Sequence, residues 1–191
     1  AVSYSLSRSG LIHLHQTIED SAGIIKRGNK IIDSILTSMR GDDIDSNDFI
    51  RVSVKEIIHT AISSYGYQAP EEKELIHLRT DIDFDLYCDK DLLIYVLFNL
   101  LKNSLYYQYT GGFKVEISTD HNNDSNLIKI KDYGPGISTS KLESIFDGFY
   151  TSGKTGGTGL GLHFCRRVIE AFGGQITCNP QEGKWTEFTI S

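Results

Sequence analysis

Residues 89–107, Asp-Lys-Asp-Leu-Leu-Ile-Tyr-Val-Leu-Phe-Asn-Leu-Leu-Lys-Asn-Ser-Leu-Tyr-Tyr, constrain the fold more than any other stretch of this chain. They read as a helix that is apolar almost all round, so it must be covered on more than one side. Only a layered domain with further helices and a sheet can supply that cover. The surrounding sequence provides both. Residues 55–65 read as a helix with Ile57, Ile58, Ala61 and Ile62 on one face, and 160–172 as another. Strand patterns occur at 49–54, 75–80, 83–87, 113–118, 127–131, 175–178 and 185–190, with a polar turn at 121–124 closing a hairpin. A further helix is expected near 138–146. The expected fold is an α/β two-layer sandwich, with helices on one face of a mixed, mostly antiparallel sheet, preceded by one long N-terminal helix.

That first helix is a separate matter. From residue 11 to 39, Leu11, Leu14, Ile18, Ala22, Ile25, Ile32, Ile35 and Met39 step by threes and fours. They make one apolar stripe close to a heptad seam. Gly23, Gly28 and Asn29 weaken it locally, and Gly41-Asp42-Asp43 reads as a helix stop with an acidic linker. A helix with one apolar stripe implies a partner helix, a second chain, or both. The 191 residues carry a net charge of -6, which argues against a nucleic-acid partner. No apolar run reaches the ~20 residues of a membrane helix. Cys88, Cys165 and Cys178 are widely spaced, as reduced cytosolic thiols would be. A cytoplasmic location is therefore expected, with any membrane attachment through segments absent from this chain.

Four clusters carry chemistry. Asn99 and Asn103 lie one turn apart on the apolar helix. Buried carboxamides need partners, and an amide oxygen can ligate Mg²⁺ while its NH₂ donates to a phosphate. The same pair would also serve as core hydrogen bonds. Asp132-Tyr133-Gly134-Pro135-Gly136-Ile137 follows a strand, where a carboxylate can accept from an exocyclic amine and glycines let the backbone approach a flat ring. Ile145-Phe146-Asp147-Gly148-Phe149 precedes the loop Thr151-Ser152-Gly153-Lys154-Thr155-Gly156-Gly157-Thr158-Gly159-Leu160-Gly161-Leu162. That loop opens a helix, so its N–H groups and the helix dipole favour phosphate. It contains Gly153-Lys154-Thr155, but that triplet does not close the loop onto the helix as in the common NTPase loop, because Gly156-Gly157-Thr158-Gly159 still follow before the expected helix at 160.

In order and spacing these clusters resemble the N, G1, F and G2 boxes of the histidine kinase branch of the Bergerat-fold ATPases. The resemblance covers about residues 49–191, including a last strand of the form Gly-x-x-Thr-x-Phe at 183–188. It implies ATP and Mg²⁺ as cofactors in a pocket under a mobile lid. Asp132 would bind the adenine amine, Asn103 would hold Mg²⁺ and Asn99 would support the phosphates. Gly134, Gly136, Ile137, Lys154, Gly157, Thr158, Gly159, Leu160 and Gly161 would line the pocket, with Thr186 near the base. Asn99, Asn103 and Lys154 would serve catalysis, and Phe146 and Phe149 would anchor the lid's hinge. Tyr107 is placed either to stack on adenine or to join the core.

ATP-hydrolysing relatives of the gyrase, MutL or chaperone type carry a glutamate where this chain has Asn99. An amide cannot act as general base, whereas a histidine acceptor is nucleophilic without one. A histidine kinase is thus expected, with the quorum-sensing hybrid kinases of the α-hydroxyketone type as the subgroup most resembled. Residues 1–41 then read as a helix of the dimerisation hairpin and 42–191 as the ATP-binding domain. The implied partners are a response-regulator receiver domain and a second copy of the full-length protein. His13 and His15 lack the acidic residue and proline that follow the family's acceptor, which is expected upstream. Many relatives have a lysine where Tyr106 stands, leaving that phosphate contact to Lys154.

Overall fold

A computed structural model describes residues 8–40, 43–109, 111–122, 125–151 and 157–191. The chain divides into two units, residues 1–42 and 43–191. The first contains one helix, α1 (Arg8–Arg40), which runs unbroken through Gly23, Gly28 and Asn29. On it Leu14, Ile18, Ile25, Ile32 and Leu36 are exposed, and His15 Nε2 lies 3.1 Å from Glu19 one turn on. Of the expected stop, Gly41 and Asp42 lie outside the described residues.

The second unit runs β1 (Ile50–Ser53), α2 (Val54–Ser64), α3 (Glu71–Glu74), β2 (Ile76–Arg79), β3 (Asp85–Cys88), α4 (Lys90–Leu105), β4 (Val115–His121), β5 (Asn126–Asp132), α5 (Gly161–Ala171), β6 (Ile176–Gln181) and β7 (Trp185–Ile190). β2-β4-β5-β7-β6 form a five-stranded sheet, while β1 and β3 pair apart from it as a two-stranded ribbon. Only the β2–β4 pairing in the large sheet is parallel. Alternation puts Val115, Ile117, Ile128, Ile130, Phe188 and Ile190 on one buried face, and α4 packs there against β5, flanked by α2 and α5. The helix that is apolar all round is the middle element, as its composition demands. Asp89 caps it, accepting from the N–H groups of Asp91 and Leu92 at 2.9 and 3.2 Å.

Two elements differ from the sequence expectation. Residues 138–146 do not form an α-helix. They make a 3₁₀ turn at Thr139–Lys141 and further i→i+3 bonds, Ser144 N–H to Lys141 O and Asp147 N–H to Ser144 O. Within this turn Ser138 Oγ meets Ser140 Oγ at 3.2 Å. The tight turns still bury Ile145 and Phe146. α3 carries no apolar periodicity. It is held by buried Glu72, which accepts from the Gln68 N–H at 2.9 Å and from Gln108 Nε2 at 2.7 Å.

Candidate nucleotide site

Strand parity places Asp132 on the same face as Ile128 and Ile130, pointing its carboxylate at the helices. It is only 4% exposed, as is Thr186, its register partner on β7. Donors from two elements reach the carboxylate: Ser104 Oγ on α4 donates to Oδ2 at 3.3 Å, and the Gly134 N–H in the turn after β5 donates to Oδ1 at 3.2 Å. A Cβ added at Gly134 would lie 2.9 Å from Asp132 Oδ1 and 3.2 Å from Tyr107 Cβ. Glycine is what keeps this cradle open. Tyr107 is half-buried, and burial, followed by Tyr106 and the Asp132 charge, raises its phenol pKa above the ordinary 10. The Cys178 thiol is pushed up to about 12 by burial and by Asp132. Asp132, Tyr107, Gly134 and Thr186 therefore come together.

Gly136 closes the turn beyond. Its φ is +69°, and a Cβ there would fall 2.4 Å from the Gln181 carbonyl oxygen. The Pro135 carbonyl accepts from the Gly183 N–H at 2.7 Å, tying this turn to the β6–β7 connection, while Ile137 is half-buried beside it.

The phosphate-side residues meet α4 at Asn99. Its Nδ2 donates to the Tyr95 carbonyl at 2.9 Å, and a Cβ at Gly161 would lie 2.7 Å from its Oδ1. Asn99 thus braces the first turn of α5, whose start has no side-chain cap. Gly157 and Thr158 are exposed, and Gly159, Leu160 and Gly161 half-buried, with the Leu160 N–H 3.4 Å from Thr158 Oγ1. Asn103 is half-buried, one turn beyond Asn99. Lys154, with Ser152, Gly153, Thr155 and Gly156, lies outside the described residues.

The two phenylalanines before the loop behave differently. Phe146 is buried, edge-on to Phe188 at 6.3 Å, with the Arg166 guanidinium 4.4 Å over its ring. Phe149 is 69% exposed with φ +66°. Its backbone N–H donates to the Gly159 carbonyl at 3.1 Å, so it holds the loop base through its main chain. His163 is half-buried with Nδ1 3.3 Å from the Phe146 carbonyl. Ser104 had no assigned role in the sequence reading. A hydroxyl on an otherwise apolar helical face was the signal available.

Residues 88–191 match the family described as histidine kinase-, DNA gyrase B-, and HSP90-like ATPase. The chain belongs to this family. It is 42% identical over 188 residues, 98% of its length, to the CAI-1 autoinducer sensor kinase/phosphatase CqsS of Vibrio cholerae, covering 27% of that protein. It is 35% identical over 175 residues to the autoinducer 1 sensor kinase/phosphatase LuxN of Vibrio campbellii, covering 91% of this chain and 20% of the relative. The chain thus spans about a quarter of the curated relatives it matches. Among solved structures, the catalytic domain of histidine kinase ThkA superposes with TM-score 0.61 at 29% identity, over 74% of this chain and 94% of that one. The Acinetobacter baumannii histidine kinase AdeS matches the fold with TM-score 0.62 at 22% identity, over 98% of this chain and 85% of that one. Its mixed, mostly antiparallel sheet with helices is the architecture of the solved catalytic domain of histidine kinase ThkA.

Proposed function

We propose that the chain holds ATP between Asp132 and the loop entering α5, and that its γ-phosphoryl group passes to a histidine imidazole of a helical hairpin and then to a receiver-domain aspartate. The observation that carries this reading is the buried Asp132 carboxylate beside a glycine-kept gap, with Tyr107 against that gap. A carboxylate accepts from the amine of adenine and repels the carbonyl of guanine. Tyr107 offers a ring face for the base, and Thr186 a hydroxyl beside Asp132. The α5 N-terminus and Gly157 to Gly161 provide N–H groups for phosphate, and Lys154 a positive charge. Asn103 would bring an uncharged amide oxygen to Mg²⁺, which would supply positive charge to neutralise the phosphates. Among the described residues no three His, Cys, Asp or Glu side chains cluster as metal ligands, so the ion would rest mainly on the nucleotide.

Asn99 sits where a hydrolase needs its base, and its carboxamide is engaged with Tyr95 and Gly161. That supports transfer to a histidine over transfer to water. The exposed Leu14, Ile18, Ile25, Ile32 and Leu36 stripe supports pairing of α1 in a dimeric helical bundle. Similarity to two autoinducer sensor kinases supports a quorum-sensing role for the whole protein. Among the described residues no helix is long and apolar enough to cross a membrane, so anchoring would use other segments.

Calorimetric titration tests the reading. ATP should bind the chain, and Asp132→Ala should weaken it at least about 100-fold, as removal of a buried charged partner does. Equal affinity in the variant would remove Asp132 from the adenine site. With γ-labelled ATP the chain alone should remain unlabelled; acid-labile label on His13 or His15 would move the acceptor onto α1.

A further inference from the structure

Ser104 is the one polar side chain among the eight residues that α4 buries, and it is 0% exposed. Hydroxyls inside helices usually donate back to the carbonyl four residues earlier. Ser21, Thr60 and Ser64 do so here, at 2.7, 2.7 and 2.5 Å. Ser104 instead reaches across to the sheet and donates to Asp132 Oδ2. The 3.3 Å separation is long for O–H···O, so the contact orients the carboxylate more than it holds the fold. The other oxygen, Oδ1, is met from within its own turn by the Gly134 N–H. Rotation of an aspartate carboxylate about its last torsion is soft. The Gly134 donor moves with the turn that carries Asp132, whereas Ser104 donates from a different element and ties the carboxylate plane to α4. The carbonyl of Ser104 also accepts the Tyr107 N–H at 3.1 Å, so one residue seats both the carboxylate and the ring beside the gap.

We infer that Ser104 is a positioning residue that sets the base selectivity of the site, by fixing the plane of the Asp132 carboxylate so that its lone pairs meet an exocyclic amine. The inference rests on the adenine-nucleotide reading above. A fixed carboxylate accepts from the amine of adenine and faces the carbonyl of guanine acceptor to acceptor. A swinging one relaxes both the attraction and the repulsion. Asn103 and the glycine loop concern the phosphates, so the hydroxyl's contribution is independent of phosphate count and of Mg²⁺.

The test is calorimetry of wild type and Ser104→Ala with ATP, ADP, adenosine and GTP, with and without Mg²⁺, alongside melting of the nucleotide-free proteins. The variant should bind ATP, ADP and adenosine about tenfold more weakly, by a common factor. Its preference for ATP over GTP should narrow while its melting temperature stays close to wild type. Wild-type binding with an unchanged variant would overturn the inference and leave the adenine site standing. Loss confined to ATP with Mg²⁺ would overturn it by moving Ser104 to the phosphate side. A lower melting temperature with ATP and GTP weakened in proportion would overturn it in favour of a structural role. Failure of the wild type to bind any adenine ligand would overturn the adenine reading itself.

Discussion

α1 and α4 are both long amphipathic or apolar helices, yet they stand in opposite conditions. α4 buries eight of its residues between a sheet and two helices. On the 33-residue α1, Ile18, Ile25 and Ile32 are 58, 64 and 55% exposed. A residue pattern states how wide an apolar surface is, and the width states how many layers must meet it. An all-round helix is satisfied only inside a domain, so α4 brings its cover with it in the same chain. A one-sided stripe is satisfied by a single partner, which can be a separate helix. The catalytic unit is therefore a closed object, and α1 is an unfinished one.

The sharpest way to break this comparison is a matched pair of truncations. Leu100→Ala, at a fully buried position, should cost about 2–5 kcal/mol in denaturant unfolding of the catalytic unit. Ile25→Ala on α1 should change the same transition by less than about 0.5 kcal/mol. A comparable cost at both sites would mean that α1 is covered within the chain. A smaller effect is expected at Gly136. Its φ of +69° and the 2.4 Å approach to Gln181 O mean that Gly136→Ala should destabilise by roughly 2–3 kcal/mol. ATP affinity should fall as well, because the turn carrying Gly134 is displaced. Unchanged melting and unchanged affinity would show that the turn shifts freely.

A further effect separates the regions by pH. The catalytic unit holds Cys88, Cys165 and Cys178. Burial raises Cys88 from 9.0 to about 11 and Cys178 from 9.0 to about 12. A thiol whose folded pKa lies above its unfolded value contributes stability that is whole below pH 9 and is lost as pH rises through the folded value. Denaturant stability of the catalytic unit should therefore decline between pH 9 and about 12, and Cys178→Ser should flatten that decline. α1 has no thiol and should show none of this slope. A flat profile in the wild type would mean that the thiols are not buried as described.

Much of the catalytic unit was legible because its elements are locally consistent. Helix 160–172 and strand 185–190 read directly from periodicity, as did the hairpin of β4 and β5. The expected helix at 138–146 failed because i→i+3 turns bury Ile145 and Phe146 with an apolar spacing that a sequence pattern cannot tell from a helix's, and α3 went unseen because buried Glu72 holds it through polar contacts that leave no apolar period. For the candidate site, residue types and spacing named Asp132, Gly134, Gly136, Asn99 and Gly161. The resemblance added Phe146 and Phe149 as anchors of the lid's hinge; Phe146 is buried, and the Phe149 N–H bonds the Gly159 carbonyl.

By itself the sequence determined which residues are chemically able to act and which surfaces must be covered, because both follow from side-chain type and from periods of two and 3.6 residues. Only the tertiary structure decided which groups meet. Parity aims Asp132 inward, but the register of β5 on β7 and the seating of α4 are what bring Thr186, Ser104 and Tyr107 around it. Asn99 and Gly161 lie 62 positions apart in the chain, and their contact exists because α4 and α5 pack side by side. Contacts between distant elements depend on how whole layers dock, a sum over many buried side chains that no local pattern carries.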